Sequence, residues 1–336
     1  MSAAAISRGE LLLTYIQGLE PYLNHPDVSE IMIDPEDDDP SSYVVSIEEN
    51  GVMREVTSEV KPIIRESDLM ALGRGLARNS LRRELNKENP MLSATLENGS
   101  RIAITIPPAA DGVMVTIRNY RERPFTVEEL IERGTITRKA AQVAQEAIEQ
   151  RRNILISGGN GTGKSTLLNT LAGAYIPRDR RVIVLEDAAR DIKLPYHRIK
   201  GFLRCGEHAS MSKMIEQALR HKIVHVIMGE VRGEEGLDLL TALNTGHSGS
   251  MATIHADSGL TVEETGQLTL DRLTTCATMA ETKMNYRSIR MMIANSIHYV
   301  MHVRQDPNSG ARRMAAFVRV DKYDPVTDTF QFTAIH

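Results

Sequence analysis

The sequence predicts an α/β protein in two parts: a smaller N-terminal α/β domain, then a larger domain built on a parallel sheet with helices on both faces. Three observations lead there. In the first third, turn signals such as Asn50-Gly51 and Asp111-Gly112 separate short alternating strands. Further on, the runs NILIS, VIVLE and IVHVIM are continuously apolar, as strands buried on both faces must be. Between the first of these runs and a helical pattern lies a glycine-rich stretch at 158–165.

The elements follow in order. Ser7 and Glu10 form a capping box before a helix carrying Leu12, Ile16 and Leu19, which Pro21 is expected to end. Asn50-Gly51 joins YVVSIEE to VMREV as a hairpin. A helix is expected from about Glu66 to Leu85, with Leu69, Leu72 and Leu76 on its core face and Arg74, Arg78 and Arg82 on a solvated or subunit-facing one. LSATLE, SRIAITI and VMVTIR then add strands to an antiparallel sheet. The charged stretch RNYRERPF interrupts the pattern. Thr126 and Glu129 cap a short helix that stops at Gly134, and Thr137 starts another. The resulting division is an N-terminal domain over 1–120, a linker region over 121–137 and a second domain over 138–336. SMATIH and TFQFTAIH read as further strands, and Met279, Met284, Met291, Met292 and Met301 as packing in a helical core.

Composition excludes several classes. Hydrophobic residues at 41% suffice for two cores, and two cysteines exclude a disulfide framework. A net charge of -4, 4% aromatics and no Trp argue against direct nucleic-acid binding. No run approaches the ~20 apolar residues that a membrane-spanning helix needs. The expected location is the cytoplasm.

Residues 158–165 read Gly158, Gly159, Asn160, Gly161, Thr162, Gly163, Lys164, Ser165, and Thr166 follows. This G-x-x-x-x-G-K-S pattern lies between a buried strand and a helix, the context that a phosphate-binding loop requires. Its glycines let the backbone wrap phosphate oxygens with N–H groups pointing inward. Lys164 can reach β- and γ-phosphates, and the Ser165 hydroxyl can ligate Mg²⁺. Two later apolar strands end in acids, VIVLE at Glu186 and IVHVIM at Gly229-Glu230. In an open parallel sheet the C-terminal strand ends lie beside such a loop, so both carboxylates are placed to hold Mg²⁺ or orient water. His247 and His255 flank the next strand and could sense the terminal phosphate; the other histidines read as packed or surface groups. Candidate arginines for phosphate charge are Arg101, Arg118, Arg220 and Arg232.

SGGNGTGKST, VIVLEDAARDI, IVHVIMGEVRG and NTGHSGSMATIHAD occur in that order. Together they resemble the Walker A, Asp, Walker B and His boxes of the type II/IV secretion ATPase superfamily. The wording is closest to the type IV secretion and conjugation traffic ATPases of the TrbB kind and to TadA-like ATPases. The resemblance implies a RecA-like P-loop ATPase domain preceded by a smaller N-terminal α/β domain, with ATP and Mg²⁺ as ligands. It implies a homo-oligomer, a hexameric ring, working at inner-membrane secretion or conjugation machinery and peripheral to that membrane. Glu186 and Glu230 match the two catalytic carboxylates, His247 and His255 the His box, and Arg101 and Arg118 the arginines of the first domain. Two alternatives are a nucleic-acid-translocating motor on the same core and a nucleotide-regulated assembly scaffold.

Overall fold

A computed structural model describes residues 12, 14–23, 25–36, 39, 42–80, 84–96, 99–120, 123–186, 191–205, 209–222, 224–246 and 248–336. The chain divides into two compact units, 1–122 with 308–310, and 123–307 with 311–336.

In the first unit, a short helix α1 (Glu20–Leu23) precedes strands β1 (Val28–Pro35), β2 (Tyr43–Glu49) and β3 (Val52–Glu55). Helix α2 (Glu66–Ser80) and strands β4 (Met91–Thr95), β5 (Arg101–Thr105) and β6 (Met114–Arg118) complete it. The strands form one antiparallel sheet in the order β3-β2-β1-β6-β5-β4. Asn50 and Gly51 both have positive φ, 51° and 85°, as the tight turn between β2 and β3 demands. Alternate residues face one side: Ile31 and Ile33 of β1, Val45 and Ile47 of β2, Ile102 and Ile104 of β5, Val115 and Ile117 of β6. Leu69, Leu72 and Leu76 of α2 share that core, while Arg74 and Arg78 are exposed. The predicted Ser7–Glu10 cap and Arg82 lie outside the described residues. Pro21 does not end a helix. It sits in the first turn of α1, where its missing N–H costs no hydrogen bond.

The second unit begins with α3 (Val127–Glu132), whose capping box is formed by Thr126 and Glu129, and α4 (Arg138–Glu149), capped by Thr137. Gly134, at φ 69°, follows the first of these helices. The segment read as a linker region thus carries a helix, and its Val127, Leu130 and Ile136 lie in the core of this unit. Strand β7 (Ile154–Gly158), helix α5 (Lys164–Tyr175), strands β8 (Val182–Glu186) and β9 (Lys200–Arg204) and helix α6 (Met211–Arg220) come next. They are followed by β10 (His225–Val231), α7 (Glu235–Asn244), β11 (Met251–His255), α8 (Val262–Thr278) and α9 (Tyr286–Ser296). Strands β12 (Tyr299–Gln305), β13 (Arg312–Asp324) and β14 (Thr329–Ala334) end the chain.

The sheet order is β14-β13-β12-β7-β11-β10-β8-β9. From β12 to β9 all neighbours are parallel, and β13 and β14 extend the sheet antiparallel. The apolar runs are double-sided. Leu155, Ile183, Leu185, Val226 and Met228 enter one core, and Ile154, Ile156, Val182, Val184 and Ile227 the other. Asn153 secures the start of β7. Its Nδ2 donates to Ser296 O at 2.6 Å, and its Oδ1 accepts from Gly249 N at 2.8 Å and Ser250 N at 2.9 Å.

The methionines depart from expectation. Met279 and Met291 are 54% and 53% exposed, and Met301 is buried in a strand rather than a helix. The inner face of α9 is instead organised by Arg290, which is 1% exposed. Its guanidinium pairs with Asp271 of α8 and with Asp328 in the turn after β13. It also lies over the rings of Phe330, Tyr323 and Tyr286, at 4.4, 5.2 and 5.3 Å from their centroids. Arg290→Ala removes a buried stem, a cation–π cage and two ion pairs together. The expected loss of stability is about 3 kcal/mol, read by urea unfolding. A loss below about 0.5 kcal/mol, the scale of a plain surface change, would show that the cage contributes nothing.

Candidate active site

Parallel strands all point the same way, so their C-terminal ends form one edge. The order of β7, β11, β10 and β8 in the sheet places Gly158, His255, Glu230 and Glu186 along that edge in sequence. His255 is the register partner of Gly158, and Leu185 pairs with Met228 just before the two acids.

The phosphate loop runs from the end of β7 into α5. Gly158, Gly161 and Gly163 have φ of 150°, 69° and 93°, a backbone that side chains resist. Lys164 opens α5 and is only 7% exposed. Its Nζ donates to Gly158 O at 3.0 Å and to Gly159 O at 2.6 Å. The same Nζ lies 3.4 and 3.5 Å from the two ring nitrogens of His255. Thr162 turns inward and donates to Gly159 O at 3.0 Å, while Ser165 and Thr166 are half-buried at the helix start. Gly159 and Asn160 are exposed.

Glu186 is 2% exposed. Its Oε1 accepts from Ile192 N at 2.9 Å, and its buried Oε2 has no partner among the described residues. Burial pushes its carboxyl up to about 7, only partly offset by the Ile192 N–H. Proximity explains why β10 ends in Gly-Glu rather than in the Asp of a standard Walker B strand. A Cβ on Gly229 would stand 3.3 Å from Glu186 Cγ and 3.4 Å from Leu185 O. Glu230 is held by Arg232, whose Nε and Nη2 reach its Oε2 at 2.7 and 2.6 Å. His255 Nε2 stands 2.7 Å from Glu230 Oε1, a close approach whose angles do not make a hydrogen bond. Burial, and then the Lys164 charge, hold the His255 pKa below the usual value, with Glu230 pulling the other way. The ring is therefore neutral at pH 7. An open cavity of about 310 Å³ adjoins the loop, lined by Gly159, His255, Ala256, Asp257, Leu268 and Arg272.

The structure does not gather every candidate. His247 lies outside the described residues. Arg220 pairs with Glu216 on its own helix and stays solvated. Arg101 and Arg118 belong to the first unit, where they are direct register partners on β5 and β6. Arg118 lies 3.9 Å from Glu30. Conversely, the sequence reading missed a buried polar chain behind β7. Ser157 Oγ bonds to His302 Nδ1 at 2.9 Å and to Thr269 Oγ1 at 2.8 Å. It also missed Arg312, whose Nε donates to Gly161 O at 2.9 Å. Neither follows from spacing, because the partners lie more than a hundred residues apart in the chain.

His302 is 2% exposed, and burial, with the Lys164 charge second, lowers its pKa to about 4. The folded state thus refuses a proton that the unfolded state accepts below about pH 6.5. Stability is whole above that pH and is lost as pH falls towards 4. Between pH 7.5 and 5.0 the wild type is expected to lose about 2 kcal/mol more than His302→Asn, at about 1.4 kcal/mol per unit. Parallel urea curves for both proteins at the two pH values check this, and an equal loss in both would contradict it.

Comparison with known proteins agrees with this geometry. A family model described as type II/IV secretion system protein matches residues 24–323. The chain is 28% identical over 345 residues to the type IV secretion system protein PtlH of Bordetella pertussis, covering 93% of this chain and 96% of that one. It is 32% identical over 189 residues to the conjugal transfer protein TrbB of Rhizobium radiobacter, covering 55% and 58%. The X-ray structure of the Legionella pneumophila ATPase DotB superposes with a TM-score of 0.59 at 16% identity, covering 93% of this chain and 80% of that one. At that identity the likeness concerns the fold, a RecA-like P-loop domain preceded by a smaller N-terminal α/β domain. With residues 24–323 matched by this model, the chain belongs to the type II/IV secretion system protein family.

Proposed function

We propose that this protein binds ATP at the 158–166 loop and hydrolyses it, and that it works as a ring-forming traffic ATPase of a type IV secretion, conjugation or related pilus machine. The observation that carries the reading is the alignment of Lys164, His255, Glu230 and Glu186 along one edge of a single parallel sheet. Loop N–H groups and the positive end of α5 bind the phosphates, and Lys164 exchanges its carbonyl partners for phosphate oxygens. His255 can give one N–H to the terminal phosphate.

Mg²⁺ fits this set. Ser165 opens α5, and Glu186 presents a buried oxygen without a partner among the described residues. No group of three or more His, Cys, Asp or Glu suited to a metal occurs among the described residues. Mg²⁺ in such sites is held by one or two carboxylates, substrate phosphates and water. Ser165, Glu186 and Glu230 would hold it, and its role is to neutralise charge on the phosphates. Glu186, with its proton affinity raised to near neutrality, suits acceptance of the proton from the attacking water. Arg232 keeps Glu230 fixed at the end of β10.

Arg101 and Arg118 stand opposite each other across β5 and β6, so both side chains leave the same face of the first unit's sheet. We assign them to the terminal phosphate of their own or a neighbouring subunit in a hexameric ring. The names of PtlH, a type IV secretion system protein, and TrbB, a conjugal transfer protein, support work within secretion or conjugation machinery, and we place that work at the inner membrane. No helix among the described residues is long and apolar enough to cross a membrane. We assign the protein a cytoplasmic place, peripheral to the inner membrane.

The central test is Mg²⁺-dependent ATP turnover. Lys164→Ala is expected to abolish it with circular dichroism unchanged; turnover at the wild-type rate would defeat the nucleotide assignment. Glu186→Gln should still bind ATP and lose about 10²-fold or more in rate, the scale of a lost proton acceptor. Arg118→Ala should bind ATP but hydrolyse it at least about tenfold more slowly. Wild-type kinetics there would return Arg118 to the sheet surface.

A further inference from the structure

The three left-handed glycines of the phosphate loop share a neighbour. A Cβ on Gly158 would stand 2.1 Å from Val303 O, one on Gly161 3.7 Å from Gln305 Oε1, and one on Gly163 3.3 Å from Arg312 Cδ. Val303 and Gln305 lie on β12 and Arg312 on β13, and Gln305 and Arg312 are direct register partners. One hairpin therefore backs the loop from end to end. It is closed by Asp306 N donating to Ala311 O at 2.9 Å. It is tied to the strand that launches the loop, because β12 pairs in parallel with β7, Met301 with Ile156 and His302 with Ser157.

A loop that turns its N–H groups inward to phosphate turns its carbonyls outward, and each carbonyl still needs a donor. At Gly161 that donor is Arg312 Nε, 2.9 Å away. A charged donor makes the stronger kind of hydrogen bond, and a guanidinium leaving a paired strand is held in direction as well as in distance. We infer that Arg312 is a positioning residue for nucleotide: it fixes the Gly161 peptide so that the loop's N–H groups converge on phosphate before ligand arrives. The inference rests on the reading of 158–166 as a nucleotide site. It adds a determinant of affinity from the β12–β13 hairpin, about 150 residues beyond the loop in the chain.

The test compares wild type, Arg312→Met, which keeps the stem and loses the donor, and Arg312→Lys, which restores a donor without the planar fork. ADP affinity is measured by calorimetry, ATP turnover as kcat and KM, and the unfolding midpoint without nucleotide by calorimetric scan. Arg312→Met is expected to bind ADP about tenfold more weakly, with most of the kinetic loss in KM and a midpoint within about 2 °C of wild type. Arg312→Lys should recover part of that affinity. Unchanged ADP affinity in Arg312→Met overturns the inference, as does weaker binding accompanied by a matching fall in the midpoint, which would mark a merely structural contact. If wild type itself binds no ADP, the nucleotide reading fails first; if wild type binds and Arg312→Met binds equally, only the role of Arg312 fails.

Discussion

A polypeptide can present a row of N–H groups to an anion only if its backbone enters regions that side chains resist, and something must hold it there. In this protein the strand β7 does so. It runs between β11 and β12 with each of its five residues buried, and it releases the chain at Gly158 directly against Val303 O. A side chain at that point would collide with backbone, so glycine there serves packing and loop geometry together. The rest of the site depends on this emplacement. His255 is placed by its register with Gly158, Glu230 by the next strand, and Glu186 by the one beyond.

The same compactness sets the electrostatics. Glu186 and His302 are both nearly inaccessible, and burial moves both towards the neutral form, the carboxyl up to about 7 and the imidazole down to about 4. Around them stand charges that are satisfied by partners, Lys164 by loop carbonyls and Glu230 by Arg232. The sheet edge therefore holds an acid whose proton affinity reaches neutrality, a paired acid and a buried ammonium within one layer. Their proton affinities come from the depth of the strand ends rather than from any unusual residue. The narrow gap between β8 and β10 enters the same account, since Gly229 leaves the room that the Glu186 side chain occupies.

Much of this was legible in the sequence. The glycine-rich loop between β7 and α5, the Thr126–Glu129 capping pair, the helix start at Thr137 and the apolar runs of β7, β8 and β10 are local signals, and each is present as read. Other elements were not legible. Strand β1 lies at the middle of the first sheet, although VSEIMIDP carries no flanking turn dipeptide to announce it. The methionines at 279 and 291 were not legible as exposed: Met279 stands just past the end of α8, and Met291 lies on the outer side of α9, whose inner side is taken by Ile289, Arg290 and Ile293.

What the sequence by itself determined was the inventory of the site and the order of its strands in the chain. Glycine, lysine and acid at strand ends follow from backbone and charge requirements that act over a few residues. What only the tertiary structure decided was adjacency. The register of β11 on β7 brings His255 to Gly158, and the pairing of β12 with β7 brings His302 to Ser157. The β13 strand then delivers Arg312 to the carbonyl of Gly161. These contacts join residues 91 to 151 positions apart, and a contact between such partners leaves no spacing in the sequence. It exists only once the sheet has fixed which strand lies next to which.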